Sequence, residues 1–328
     1  MKNNLISISA IIFLGLAYST SAMAELVPFY DTLGDEYICG YKNEKGKIVV
    51  PLKTYQDCGG FSEGLAYVGK VVKPLIEVGE GYKHVQGFID TTGKLVIPME
   101  HEAIDELLGV EYKSFSDGLV VVYRNGKYGY MNKQRELIIP YKYQDASSFS
   151  DGLAVVELND KEGMIDRSGN IIIPIKFDSL SDFSEGLAAY GVNNHWNDES
   201  QYGFINKKGE TVIKPQWDAA YKFSEGLATV RLGDRDTGKW GVIDTKGNYV
   251  VKPKYDQPAI MLFTDAYEFD DNRYKNGLIS MYNMTNPNDP NETSVTRYTI
   301  DRQGKVVGSK FYGSWDLLIE EYERLNPE

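Results

Sequence analysis

The hydrophobic positions of this chain fall in short β-branched runs separated by turn residues, with no sustained helical period. Leu119-Val-Val-Val-Tyr123 and Ile171-Ile-Ile173 are of strand length and are bounded by glycine-rich turns. Between Phe149 and Phe183 lie Pro174 and several glycines without a 3.6-residue apolar rhythm, which excludes helical repeats of that length. The runs belong to a repeat. Phe61-Ser-Glu-Gly-Leu65 returns as Phe115-Ser-Asp-Gly-Leu119, Phe149-Ser-Asp-Gly-Leu153, Phe183-Ser-Glu-Gly-Leu187 and Phe223-Ser-Glu-Gly-Leu227, with a worn copy at Tyr274-Lys-Asn-Gly-Leu278. A second motif interleaves with it: an aromatic residue, Gly, any two residues, Asp or Asn, any two residues and Gly, followed by an apolar run and Pro. It runs from Tyr202-Gly203 to Pro215 and from Trp240-Gly241 to Pro253, with variants at Cys39-Gly40, Gln86-Gly87, Tyr128-Gly129 and Glu162-Gly163 and a degenerate copy from Tyr298 to Val307. An aromatic-Asp element such as Phe177-Asp178 or Trp217-Asp218 follows the Pro.

Asp90-Thr-Thr-Gly93, Asp166-Arg-Ser-Gly169 and Asp244-Thr-Lys-Gly247 carry the chemistry of a hairpin loop built on a type I turn, with the Asp side chain capping it and Gly in the left-handed position. Arg135 occupies that glycine position in Asn132-Lys-Gln-Arg135 and is expected to be strained there. Pro98, Pro140 and Pro174 are expected to end their strands by removing a donor. Each unit then reads as a three-stranded meander: a Gly-Leu strand, an aromatic-Gly strand and a short apolar strand.

Taken together, these motifs resemble the WG-repeat (KWG-repeat) family, and the Trp-Gly of its name stands literally at Trp240-Gly241. Five to seven copies cover about Tyr37 to Val307. The resemblance implies a bacterial, often exported β-repeat protein and an interaction or binding module, and it supplies no catalytic residues.

Repeated β-units either stack in an open superhelix or close into a propeller. There are seven hairpin motifs and six Gly-Leu strands, and the surplus hairpin is the first. The chain finishes its last unit, so no strand exchange between the ends is required. Trp315, Leu318, Tyr322 and Leu325 form one apolar stripe, read as a capping helix from Ser314 onward, with a partner-binding helix as the alternative. The expected fold is all-β: tandem three-stranded meanders in an open, solenoid-like array with a C-terminal capping helix, and a closed β-propeller as the alternative. Residues 25–313 form the repeat domain, with its worn last copy over about 259–313, and residues 314–328 form the cap.

The N-terminus reads as a secretory signal peptide over residues 1–24. Lys2 precedes an apolar run from Leu5 to Ala17 that is too short to span a bilayer, and Ala22-Met23-Ala24 forms the cleavage site. The expected destination is the periplasm or the exterior, with no membrane anchor after cleavage. There Cys39 and Cys58, the two cysteines, are expected to form a disulfide. If they do, the slots they occupy should be neighbours in every repeat, as with Tyr128 and Ala146. The 328 residues, which alone suggest about two domains, thus become a leader and one repeat domain. Thirty-five basic against 47 acidic residues, a net charge of −12, disfavour unaided binding to nucleic acid.

Little in the sequence points to catalysis. His84, His101 and His195 stand at no metal-ligand spacing, and no phosphate-binding loop or nucleophile motif occurs. No cofactor, metal or catalytic residue is expected. Insertions fall mainly between the Gly-Leu strand and the next motif glycine, in Gly69 to Val85, Gly191 to Gln201 and Tyr282 to Arg297. Insertions on one face of a repeat often mark its binding face. They offer Tyr82, His84, His195, Trp196 and Tyr282 as candidate ligand contacts. The exception, Glu100 to Lys113, is expected to form a short helix. The leading function is a non-enzymatic exported scaffold that contacts a protein or an envelope glycan. The alternatives are a hydrolase of envelope polymers, which needs two carboxylates outside turns on one cleft, and a structural spacer.

Overall fold

The computed structural model describes residues 26–33, 36–72, 83–102, 104–106, 109–111, 113–192, 200–257, 273–285, 293–314, 317, 318, 320, 321 and 324. The proposed leader lies outside the described residues. The chain is all-β, in repeated small antiparallel sheets, none closed into a barrel. Seven units follow the seven hairpin motifs. Unit 1 is Val27–Leu33, Glu36–Lys42 and Ile48–Tyr55, so the strand that the surplus hairpin lacked comes from the residues just before it. Unit 2 is Asp57–Ser62, Leu65–Val72, Lys83–Asp90 and Leu95–Glu102; unit 3 is Leu119–Arg124, Lys127–Asn132 and Leu137–Tyr143. The two join through Tyr123 and Glu102 into one seven-stranded sheet.

Units 4 to 6 each have four strands. Unit 4 is Asp145–Ala146, Leu153–Glu157, Glu162–Asp166 and Ile171–Phe177; unit 5 is Ser179–Leu180, Leu187–Val192, Gln201–Asn206 and Thr211–Trp217; unit 6 is Ala219–Ala220, Leu227–Leu232, Lys239–Asp244 and Tyr249–Tyr255. Unit 7 is Leu278–Met284, Val295–Asp301 and Val306–Tyr312. The three-stranded expectation therefore needs correction in unit 2 and in units 4 to 6. The added strand is Asp57–Ser62 in unit 2 and a two-residue strand at or just after the aromatic-Asp element in units 4 to 6.

Proline does not stop the third strand. Tyr128 pairs with Tyr143 and Tyr130 with Ile139, so two residues on one strand face four on the other, and Pro140 sits in the resulting bulge. A missing donor costs nothing where the ladder is already interrupted. The same bulge recurs beside Pro174, Pro215 and Pro253, and it explains the motif glycine. A Cβ on Gly129 would lie 2.6 Å from the Ile139 carbonyl oxygen, and one on Gly163 would lie 2.7 Å from that of Ile173. Unit 7 supplies the control. Tyr298 stands in the glycine slot, and there the third strand runs straight, Tyr298 opposite Ser309 and Val295 opposite Tyr312.

Both turn types follow local chemistry. Gly93, at φ +83°, donates its N–H to the Asp90 carbonyl at 2.8 Å, while an Asp90 carboxylate oxygen accepts from Thr92 N at 2.9 Å and Lys94 N at 3.1 Å. Arg135 takes φ +70°, the strained left-handed conformation expected of it. The Ser-[Glu/Asp]-Gly-Leu segments are two-residue hairpin loops in which both central residues have positive φ, Asp117 at +51° and Gly118 at +81°.

The expected helix over Glu100 to Lys113 is replaced by a small hairpin, Ile104–Glu106 paired with Gly109–Glu111. Gly109 and β-branched Val110 weaken a helix there. At the C-terminus Leu317, Leu318, Glu320, Glu321 and Arg324 are helical. Leu318 is buried against Tyr282, Val295 and Tyr312; Trp315, Tyr322 and Leu325 lie outside the described residues.

The core lies mainly between units. Separate clusters of buried side chains bridge units 1 and 2, 2 and 3, 3 and 4, 4 and 5, 5 and 6, and 6 and 7. In five of these six joints an aliphatic residue of one third strand backs the turn glycine of the next unit; in the joint between units 2 and 3 Arg135 holds the glycine position. A Cβ on Gly247 would meet Ile213 at 3.1 Å, and one on Gly169 would meet Ile139 at 3.3 Å.

Candidate binding cleft and the joints around it

The recurrent polar residues hold the units together. Ser116 Oγ donates to the Phe149 carbonyl at 2.6 Å, Ser184 Oγ to that of Phe223 at 2.6 Å and Ser224 Oγ to that of Tyr274 at 2.8 Å. Beside each, the motif acid accepts from the next unit's motif glycine: Asp117 from Gly152 N at 2.6 Å, Glu185 from Gly226 N at 2.8 Å and Glu225 from Gly277 N at 2.7 Å. Between units 2 and 3, Ser62 reaches the Phe115 carbonyl at 2.6 Å and Glu63 reaches Gly118 N at 3.1 Å. Burial works against the Glu63 charge. Lys133, 3.0 Å away, and the Gly118 N–H outweigh it and hold that carboxyl below the usual range. The motif thus serves stacking, a role that sequence reasoning missed because it is made across units.

The slot before the motif glycine forms a second joint. Cys39 and Cys58 are disulfide-bonded, with Cα atoms 6.1 Å apart, tying unit 1 to unit 2. Tyr128 and Ala146, in the corresponding slots, share one core cluster, as the disulfide geometry required. Gln86 donates Nε2 to the Lys113 carbonyl at 2.7 Å and accepts from Lys113 N at 3.3 Å. In unit 4 the slot holds Glu162, whose carboxylate accepts from Leu180 N of unit 5.

Glu162 also closes a row of acids. Asp145, Glu157 and Glu162 are direct cross-strand partners on three adjacent strands, an arrangement that places like charges roughly 5 Å apart at Cβ and is destabilising in itself. The equivalent row is Ser179, Gly191 and Tyr202 in unit 5 and Ala219, Arg231 and Trp240 in unit 6. The acid row lines a cleft of about 210 Å³ together with Lys113, Ala146, Ser147 and Val155. Burial pushes the Glu162 carboxyl up to about 7; Glu157, Asp145 and Asp182 add to that, against the lowering pull of the Leu180 N–H. Burial, then Asp145 and Asp160, also raise Glu157. The cleft therefore holds a half-buried Glu162 carboxyl that changes charge near neutrality beside two further carboxyl groups, suited to accepting hydrogen bonds or a cationic group. Among the described residues no group of three or more His, Cys, Asp or Glu is arranged to hold a metal ion.

Of the sequence-predicted contacts, only Tyr282 has a described side chain. Tyr82, His195 and Trp196 lie outside the described residues, as does the side chain of His84. Tyr282 is 1% exposed, packed with Val295, Tyr312 and Leu318, and its backbone exchanges hydrogen bonds with Gln257. It is a core residue and presents no ring to a ligand. The sequence held one signal for the acid row: Glu162 stands where units 3, 5 and 6 place an aromatic residue.

Among solved structures, the chain is similar to a crystal structure described as the eukaryotic initiation factor, at 11% identity, covering 87% of this chain and 74% of that one with a TM-score of 0.53. It also aligns with Hsv2p of Kluyveromyces lactis, at 13% identity over 73% and 71% of the chains with a TM-score of 0.37. A third is prolyl oligopeptidase B from Galerina marginata, at 10% over 86% and 46% with a TM-score of 0.39. At such identities the first likeness concerns the fold alone, and the other two carry no argument. No curated protein matches the chain. The family model for the WG containing repeat matches residues 40–70, 87–106, 128–161, 163–196, 202–235 and 240–275. Those matches span more than half of the chain, and each takes in an aromatic-glycine strand or its variant; the chain belongs to the WG-containing repeat family.

Proposed function

We propose that this chain is an exported, non-enzymatic binding scaffold, an open array of seven β-units that contacts a protein or an envelope glycan through the acidic cleft of unit 4. The observation that carries the reading is the division of labour among carboxylates. Asp90, Asp166 and Asp244 cap turns, and Glu63, Asp117, Glu185 and Glu225 bond the next unit. Asp145, Glu157 and Glu162 instead crowd one cleft at a cost to stability, and such a cost is characteristic of functional positions. A partner with ammonium, guanidinium or hydroxyl donors suits the cleft.

Three features support the open array. Hydrophobic clusters bridge each successive pair of units, and none among the described residues joins unit 7 to unit 1. Six units bury Val50, Ile97, Ile139, Ile173, Ile213 or Val251 on the third strand, whereas unit 7 has Gly308, where a Cβ would meet only Thr299 at 3.8 Å. Leu318 packs on unit 7, and Glu321 pairs with Lys310 and Arg297, as a cap would. The disulfide and the N-terminal apolar run support export. No helix among the described residues is long and apolar enough to cross a membrane.

The test is paired affinity capture from envelope extract and on purified cell-wall glycan, using the wild type and Glu157→Gln/Asp145→Asn. A partner held by the wild type and lost by the variant supports the cleft, and identical retention by both removes it from the binding surface. The hydrolase reading is kept by one observation: Glu157 and Glu162 lie on strands, outside turns, and face one cleft. Release of reducing ends from cell-wall glycan that is abolished by Glu157→Gln would establish it over the scaffold.

A further inference from the structure

We infer that the junction between units 4 and 5 is a proton-sensitive hinge, latched by the Glu162 carboxyl and loosened when that group and the acids facing it are all charged. Two independent features single out this junction. The first is the serine-acid stacking ladder. It is made between units 2 and 3, 3 and 4, 5 and 6, and 6 and 7. Among the described residues Ser150 and Asp151 make no such bond to unit 5; Asp151 meets that unit instead through an exposed ion pair with Lys207 at 3.6 Å.

The second feature is the residue in the latch slot. Between units 1 and 2 the slot is closed by a disulfide, and between units 2 and 3 by the neutral amide of Gln86 on both backbone groups of Lys113. Glu162, which receives the Leu180 N–H, is an ionisable latch.

The groups facing Glu162 are mostly of its own sign. Asp145 and Glu157 flank it on its own sheet, and Asp182 approaches from unit 5. Lys113 lines the same cleft. Of the remaining cations nearby, Lys222 pairs with Asp182 at 2.9 Å and Lys127 lies toward Glu157, each offsetting one of these acids, while Lys161 pairs with Asp178. Closing the joint therefore favours the protonated Glu162, whose carboxyl is held well above its ordinary value. For an acid shifted upward, the stabilising contribution is complete below the ordinary glutamate range and is lost as pH rises through about 7. The hinge is stiff in mild acid and yields above neutrality.

The test is amide hydrogen exchange from pH 5 to pH 8, corrected for the intrinsic rate, on the wild type and Glu162→Gln. Gln86 serves in the same slot of unit 2, so the variant keeps an acceptor for Leu180 and is expected to fold. The opening constant reported by the Leu180 and Ser179 amides should rise about a hundredfold in the wild type and stay flat in Glu162→Gln. Amides of Leu119–Arg124 should stay flat in both proteins. A flat wild type, or a rise that survives in Glu162→Gln, overturns the hinge. No ligand is added, so the result is independent of whether the cleft binds a partner.

Discussion

The smallest features of this chain are the most completely explained by elementary chemistry. The motif glycine is required because a bulged, proline-bearing strand crosses it, and Gly129→Ala places a Cβ 2.6 Å from the Ile139 carbonyl oxygen. We predict a loss of about 2–4 kcal/mol in urea denaturation for that substitution; in unit 7, where no bulge crosses, the slot already carries the Tyr298 side chain, packed on Tyr255. Arg135 has the opposite character. It holds a left-handed conformation at φ +70° that glycine adopts freely, so Arg135→Gly should gain about 0.5–1 kcal/mol, the relief of strain partly offset by a freer unfolded chain. A stability decrease would show that contacts of the arginine side chain outweigh the strain. The Asp-x-x-Gly turns and the strain at Arg135 were legible in the sequence because turn chemistry is local. The acid row was not legible to the same degree. Its members are distant in sequence, and only the strand register makes Asp145, Glu157 and Glu162 neighbours.

At the scale of elements, the repeated Phe-Ser-[Glu/Asp]-Gly-Leu motif is a hairpin loop whose side chains reach the next loop. Ser184→Ala and Ser224→Ala each leave a carbonyl without its hydroxyl donor and should each cost about 1 kcal/mol in chemical denaturation. Ser150→Ala should cost close to nothing, because Ser150 makes no such bond among the described residues. Equal losses at all three positions would contradict the ladder. Strand identity was legible from β-branched runs and glycine spacing. The strand ends were not, because proline reads as a terminator until the bulge that shelters it is known. The expected helix over Glu100 to Lys113 failed for a related reason: a short apolar segment has no decisive period, and pairing between Ile104–Glu106 and Gly109–Glu111 decides it.

Across the whole molecule, each unit buries its core against its neighbours, so the array is a chain of joints of unequal strength. The disulfide secures the N-terminal joint, and the junction between units 4 and 5 lacks the ladder. The repeat order and the surplus first hairpin were legible from spacing alone. Unit 7 differs from the others in having Gly308 in place of a buried Val or Ile, and it is there that the proposed array places its cap. The central proposal, seven units stacked openly with a cap at the C-terminal end, is tested most directly by small-angle X-ray scattering of residues 25–328 in dilute solution. A compact chain of this length has a radius of gyration of about 20 Å. The open array predicts a clearly larger value and a pair-distance distribution with a long tail. A value near the compact limit with a symmetric distribution would contradict it and favour a closed ring.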